Sequence, residues 1–145
     1  MRPSQVRAIA ICVFRRQESI LVFEGHDTTK RQTFYRPLGG TIEFGELSRQ
    51  TVIREIREEI DAGITNLRLI GTLENLFTFE GQPGHEIVLV YEADFTDMTL
   101  YHRTLIVGQE DDGGHFNALW KPLADFASGQ SPLYPDGLLE LLLTE

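Results

Sequence analysis

Residues 40–46 read Gly-Thr-Ile-Glu-Phe-Gly-Glu and, after seven further residues, positions 54–59 read Arg-Glu-Ile-Arg-Glu-Glu. The segment from Ser48 to Ile60 is predicted to form a helix, because apolar residues recur in it at helical spacing, at Val52, Ile53, Ile56 and Ile60. Ser48 is a suitable N-cap, and Asp61-Ala62-Gly63 is expected to end the helix. The stretch therefore predicts a short acidic helix that follows a glycine pair.

Four carboxylates converge on this predicted helix. Glu55, Glu58 and Glu59 share one helical face, because residues three and four apart are neighbours on a helix, and Glu46 enters from the preceding turn. So many like charges cannot all stay ionised in a partly buried site without a cation, and Mg²⁺ prefers oxygen ligands. Arg54 stands four residues before Glu58 and is expected to pair with it and fix its direction. The pattern predicts a Mg²⁺ site.

The glycines before the helix have a separate role. Gly39-Gly40 is expected to let the backbone bend and approach a metal closely, so that the Gly40 carbonyl can serve as a ligand. Gly45 is expected to supply a positive φ in the turn. The assembled reaction is the attack of a metal-activated water on a diphosphate. The alternative is a solvated helix whose charges only confer solubility, and the offsets of Gly40 and Glu46 favour the metal site.

Composition limits the class of protein and its partners. The 145 residues suffice for one domain, which we predict to span 1–145. The 41% hydrophobic and 24% charged residues are typical of soluble globular proteins. The net charge of −9 argues against a duplex nucleic-acid partner. The single cysteine, Cys12, lies in an apolar run and favours a reducing cytoplasm, and neither a membrane span nor a secretion signal is expected.

The rest of the chain is mainly strand-forming. Val6 to Phe14 has two apolar faces, which predicts a strand covered on both sides. Leu67 to Phe79 and Glu86 to Phe95 alternate like a long antiparallel pair. The other predicted elements are a returning hairpin strand 19–24, a loop 25–33, strands 101–107 and 118–123, an acidic loop 109–117 and a helix 137–143. Because strands outnumber helices and do not alternate with them, we predict an α+β fold with a mixed β-sheet.

The acidic stretch resembles the signature box of the Nudix hydrolases: Gly, five residues, Glu, seven residues, Arg-Glu, an aliphatic residue, any residue, Glu-Glu, any residue, Gly, an aliphatic residue. This chain supplies Gly40, Glu46, Arg54, Glu55, Ile56, Glu58, Glu59 and Ala62. Asp61 departs from the pattern where the family has its last glycine, although Asp tolerates a left-handed helix end better than most residues. The resemblance implies an α/β/α sandwich with a catalytic helix and a box at about 40–62.

The resemblance also implies an activity, the metal-dependent cleavage of the diphosphate linkage in a small nucleoside diphosphate derivative. The metal would be Mg²⁺ or Mn²⁺. The substrate would be a nucleoside triphosphate, as in MutT-like enzymes, an ADP-ribose-like nucleotide sugar or a dinucleoside polyphosphate, which the box does not separate. Family members are often homodimers, so a homodimer is a further expectation. The alternative function is a non-catalytic Nudix-fold nucleotide sensor or regulator, and the intact acidic residues favour the enzyme.

Site residues follow from the resemblance position by position. Glu55 and Glu59 are the expected metal ligands, with Glu58 and the Gly40 carbonyl next. Arg54 orients a glutamate. Glu55, Glu58 and Glu59 are also catalytic candidates, because the general base of some family members is a glutamate of the box.

Other candidates lie on the substrate side or outside the box. Glu46 has a supporting role, and we group it with two substrate-binding candidates: Arg36, which stands close to the glycine pair, and Phe79, which can stack on a base. In the acidic loop, where the family often places an extra acid, Glu110 is the candidate for a further ligand or the general base. A solvated acidic loop is the alternative there.

Overall fold

A computed structural model describes residues 4–144. One of its two sheets, sheet A, contains the strands β1 (Arg7–Val13), β5 (Leu38–Thr41), β6 (Ile64–Phe79) and β7 (Gln82–Phe95). Their order in the sheet is β5-β1-β7-β6. Strand β1 runs antiparallel to β5 and parallel to β7, so the sheet is mixed, as predicted. The predicted long pair is confirmed as β6 and β7, which are joined by the two-residue turn Glu80-Gly81.

The other sheet, sheet B, is antiparallel and contains β2 (Arg15–Arg16), β3 (Ser19–Asp27), β8 (Leu105–Gln109) and β9 (His115–Pro122), with β4 (Gln32–Arg36) paired to β3. The predicted returning strand pairs with β2 rather than with β1. The prediction of a loop from residue 25 to residue 33 was wrong at both ends, because β3 continues to Asp27 and β4 begins at Gln32. Cross-strand pairing thus extends polar segments that lack a strand pattern of their own.

Helices cover both faces of β1. Its Ala10 and Cys12 pack in one core cluster with Val52 and Ile56 of α1 (Ser48–Ile60). Its residues on the other face pack against α2 (Leu123–Ala127) and α3 (Leu138–Thr144). This arrangement is the expected α/β/α sandwich, and the burial of both faces of β1 confirms the predicted strand that is covered on both sides.

Two short elements differ from the sequence prediction. Helix α2 was not predicted, and a 3₁₀ helix, Met98–His102, occupies the first part of the segment expected to be a strand from residue 101. In the described part of the chain, no helix is long and apolar enough to cross a membrane.

Candidate active site

Helix α1 is held in place by a narrow apolar stripe. Its predicted bounds are confirmed, and Val52 and Ile56 are fully buried. Ile53, which was expected to belong to the stripe, is 48% exposed. Glu55 lies beside the stripe and is buried with only 5% exposure, so one carboxylate of the box is drawn into the protein interior.

The two ends of α1 follow different rules. Ser48 does not cap the helix: Leu47 is the N-cap residue, its N–H donates to the Gln50 side chain at 2.8 Å, and the Ser48 hydroxyl bonds to that of Tyr91 at 2.5 Å. The C-terminus behaves as predicted. Asp61 is left-handed with φ 51° and its N–H donates to the Arg57 carbonyl at 3.0 Å, so it performs the structural role of the missing glycine.

Arg54 organises the carboxylates. Its Nε and Nη2 donate to the two carboxylate oxygens of Glu46 at 2.8 and 2.9 Å, and Nη1 donates to Glu55 at 2.9 Å and more weakly to Glu58 at 3.4 Å. The expected pair with Glu58 is present, but the bidentate pair with Glu46 is the closer one. These hydrogen bonds, together with one from Thr51, lower the pKa of Glu46 to about 2.

Glu46 therefore supports the site through Arg54. It is not among the described residues that line the two cavities considered below, and its carboxylate is held by Arg54. The fixed guanidinium in turn directs the Glu55 carboxylate, because the fork of an arginine holds its partners in a defined plane.

Within residues 4–144, one group of acids has the spacing to hold a cation. Carboxylate oxygens of Glu55, Glu58 and Asp111 all lie within 4.8 Å of one another. Asp111 comes from the loop between β8 and β9, the loop in which Glu110 was the candidate. Glu110 is exposed, and its backbone closes the loop by hydrogen bonds with Gly113 and Gly114 at 3.0 and 2.7 Å. The sequence located the loop, but the structure brings the neighbouring aspartate to the helix.

Glu59 occupies a second, drier position. One of its carboxylate oxygens is buried without a hydrogen-bond partner. Burial, and then repulsion from Glu55, raises the pKa of Glu59 to about 9, which the Gly39 N–H only partly opposes. A buried oxygen that lacks a donor is costly in a protein interior. Together with the neighbouring trio, this orphaned oxygen fits a hard divalent cation, whose preferred ligands are carboxylate oxygens.

The glycine pair is required by close packing. Gly39 and Gly40 do not form a bend but belong to strand β5, which pairs with β1. A Cβ on Gly40 would lie 2.4 Å from the carboxyl group of Glu55, and a Cβ on Gly39 would lie 2.2 Å from the Ala10 carbonyl. Gly40 is therefore the position that admits the Glu55 carboxylate. Gly45 has φ 85°, as expected.

Two adjoining cavities open beside the carboxylates. The smaller, about 210 Å³, is bordered by Glu59 and the glycine pair, and the larger, about 600 Å³, by Phe79 and other aromatic residues. Arg7 and Arg36 border both cavities, and their guanidiniums approach the buried Glu86 to 3.9 and 3.7 Å. Burial lowers the pKa of Arg36, while Glu86 acts in the opposite direction. Two cations thus stand where the cavities meet.

A family model, the NUDIX domain, matches residues 4–137, which is most of the chain. The chain belongs to the Nudix hydrolase family. This match agrees with the box at residues 40–62 and with the carboxylates that the fold gathers around α1.

Curated relatives of this Nudix hydrolase include the NAD-capped RNA hydrolase NudC of Pectobacterium atrosepticum, which is 31% identical over 98 residues, 68% of this chain and 35% of the relative. NudC of Pseudomonas aeruginosa is 33% identical over 78 residues, 54% of this chain and 24% of the relative. The chain therefore spans about a third or less of the length of these relatives.

Solved structures show the same fold at low sequence identity. A MutT Nudix hydrolase from Burkholderia pseudomallei has a TM-score of 0.67 at 19% identity, covering 95% of this chain and 97% of that one. A structure described as an ADP compounds hydrolase has a TM-score of 0.64 at 16% identity, covering 99% of this chain and 74% of that one. At these identities the similarity supports the α/β/α Nudix fold and does not indicate a substrate.

Proposed function

We propose that this Nudix hydrolase is a metal-dependent pyrophosphohydrolase that cleaves the diphosphate linkage of a small nucleoside diphosphate derivative. The observation that carries the proposal is the orphaned carboxylate oxygen of Glu59. Glu59 borders the smaller cavity and lies on the same helix as Glu55 and Glu58, whose carboxylates form the trio with Asp111. A helix whose charges served only solubility would keep its carboxylates in solvent, whereas burial raises the pKa of Glu59 to about 9.

The residues of α1 would hold the cation. Glu55, Glu58, Glu59 and Asp111 offer carboxylate oxygens, and the Gly40 carbonyl lies in the strand that packs against Glu55. The oxygen-only ligand set suits Mg²⁺, with Mn²⁺ as an alternative. When bound, the cation supplies Lewis-acid neutralisation of the diphosphate oxygens.

Side chains of the chain itself perform the remaining tasks. Arg36, with Arg7 beside it, is placed to hold a phosphate group at the junction of the cavities. Arg54 fixes the direction of Glu55. A glutamate of the box or an acid of the 110–112 loop, where Glu110 remains a candidate, takes the proton from the attacking water.

The substrate class rests on the relatives and on the cavities. The curated relatives named above act, by their names, on NAD-capped RNA. Since this chain spans about a third of the NudC proteins, we take from them only the nucleoside diphosphate part. Nucleoside triphosphates, ADP-ribose-like nucleotide sugars and dinucleoside polyphosphates remain the three candidates.

Turnover of these nucleotides in the presence of Mg²⁺ tests the proposal. Glu55→Gln and Glu59→Gln should each reduce turnover by at least about a hundredfold, because a charge partner of the metal is lost. Glu74→Gln is the control, since Glu74 is an exposed residue of β6. Thermal unfolding of each variant shows whether the fold is retained.

Two outcomes would contradict the proposal. Near-normal Mg²⁺-dependent turnover in the two folded variants would contradict the assignment of the metal ligands. Tight binding of a nucleotide by the native protein, with no hydrolysis of any nucleotide tested, would instead favour a sensor.

A further inference from the structure

The larger cavity has aromatic walls that come from different sheets. Phe34 of β4 forms one wall, and Phe77 and Phe79 of β6 form the other. The rings of Phe34 and Phe79 meet edge to face, with centroids 5.9 Å apart. Tyr134, from the segment before α3, adds a third ring 5.5 Å from that of Phe34. Aromatic rings arranged around a cavity are suited to stacking on another flat π-system.

Glycines on the neighbouring strands leave room for two of these rings to lie flat against the sheet. Gly25 is the cross-strand partner of Phe34, and a Cβ there would lie 2.5 Å from the tip of the ring. Gly84 is the partner of Phe77 in the same way, at 2.2 Å. Each ring therefore lies across the backbone of a glycine and turns its other face away from the sheet. The walls of the cavity are flat because of these two pairings.

A reciprocal set of hydrogen bonds ties the two walls together. We call it the latch: the Asp27 carboxylate accepts from the backbone N–H groups of Lys30 and Glu80 at 3.0 and 3.2 Å, and the Glu80 carboxylate accepts from the N–H of Thr28 at 2.7 Å and from its hydroxyl. Asp27 is 2% exposed. The latch joins the β3–β4 turn to the β6–β7 turn and so fixes how the two aromatic walls meet.

The cavity is continuous with the metal-binding region. Arg7, Phe23, Arg36 and Glu86 border both cavities, so a ligand whose diphosphate lies at the arginines can extend directly to the aromatic walls. The walls are polar at their margins, where Gln32 and other hydrogen-bonding side chains can meet the edge of a ring. The two cavities together therefore suit a ligand in which a flat ring with polar edges is joined to a diphosphate, and a nucleoside diphosphate has this composition.

We propose that the cavity lined by Phe34, Phe77 and Phe79 is the nucleobase subsite of this enzyme, in which the base stacks on the open face of a ring, and that Asp27 and Glu80 are positioning residues that hold its two walls together. The inference rests on the proposed function for the identity of the ligand, and it assigns the base to the side of the arginines away from Glu59. Discrimination among substrates then depends on residues far from the box in sequence.

Binding of two non-hydrolysable ligands, measured by calorimetry with Mg²⁺, tests the subsite. The ligands are α,β-methylene-ADP and methylenediphosphonate, which differ by the nucleoside. Phe34→Leu and Phe79→Leu should each weaken the binding of α,β-methylene-ADP by about tenfold or more. Neither variant should change the affinity for methylenediphosphonate. The matched control is Phe44→Leu, because Phe44 is fully exposed and lies outside the described lining of the cavity.

The assignment of the subsite is overturned if the native protein binds the two ligands equally well, or if the variants weaken the binding of both ligands by the same factor. Because the measurement is of binding, absence of hydrolysis would refute the proposed function while leaving this result interpretable.

The latch has its own test with the same ligands. Glu80→Asn shortens the side chain, so that its oxygen no longer reaches Thr28, and asparagine tolerates the positive φ of 52° at this position. The variant should weaken the binding of α,β-methylene-ADP by about threefold to tenfold. Glu80→Gln keeps an acceptor at the original side-chain length and should retain most of the affinity, whereas Glu74→Asn, on the same hairpin, should have no effect. An unchanged ratio of the two affinities in Glu80→Asn would overturn the positioning role, because a general loss of stability would not act on one ligand alone.

Discussion

Replacing Glu59 by glutamine is expected to stabilise the metal-free protein at neutral pH. Burial, followed by repulsion from Glu55, raises the pKa of Glu59 from 4.5 to about 9 in the native protein. Because the unfolded chain keeps the ordinary pKa, the native state binds the extra proton between these values, and its free energy of unfolding falls as the pH rises from 4.5 to about 9. At pH 7, about 2.5 units above the pKa of the unfolded chain, the free energy of unfolding has fallen by about 3 kcal/mol, because each unit costs about 1.36 kcal/mol.

Urea unfolding in EDTA, followed by the fluorescence of Trp120, measures this effect. At pH 4 the native protein and Glu59→Gln should have similar free energies of unfolding, because Glu59 is largely protonated in both the folded and the unfolded state. At pH 7 the variant should be more stable by about 3 kcal/mol. Glu74→Gln, which changes an exposed carboxylate, should show no such dependence on pH. A difference that is the same at both pH values, or a less stable variant at pH 7, would refute the inference that the fold holds Glu59 protonated.

Three further predictions address the same site. Gly40→Ala places a methyl group within 2.4 Å of the Glu55 carboxyl group, so it should cost about 1–3 kcal/mol in the free energy of unfolding and lower Mg²⁺-dependent turnover, and unchanged values of both would contradict the packing argument. Hydrogen bonds lower the pKa of Glu46 to about 2, so its contribution to stability is present above 4.5 and lost as the pH falls towards 2; urea midpoints over this range should depend less on pH in Glu46→Gln. Asp111→Asn should weaken Mg²⁺ binding, measured by calorimetry, about tenfold and more than Glu110→Gln does, and the reverse order would restore Glu110 as the ligand.

The helix could be predicted from the sequence because its determinants are local. The apolar spacing of Val52 and Ile56 and the left-handed stop at Asp61 act within a few residues, and the bounds of α1 agree with the prediction. The pair of β6 and β7 was predictable for a similar reason, since a turn of two residues joins two alternating strands. Local periodicity thus accounts for the elements that place the carboxylates.

The contacts that complete the site depend on pairing across the fold. Strand alternation ends before the 110–114 loop, so nothing in three consecutive acids distinguishes Asp111 from Glu110. The latch joins Asp27 and Glu80, which are 53 positions apart in the sequence, and Asp27 lies in a segment without a strand pattern. The preference of Arg54 for Glu46 over Glu58 likewise follows from where the turn before α1 places the carboxylate.

The acidic character of the chain and its proposed ligand are reconciled by where the charges lie. A net charge of −9 repels polyphosphates at long range, an effect that salt screens within about 10 Å. The two guanidiniums at the junction of the cavities act at contact distance, and both are drawn there by the buried Glu86. Since Glu86 already offsets part of their charge, Arg7 and Arg36 cannot by themselves reverse the field of the acids on α1. A diphosphate is therefore expected to bind together with a divalent cation, and nucleotide affinity should fall sharply when the cation is removed.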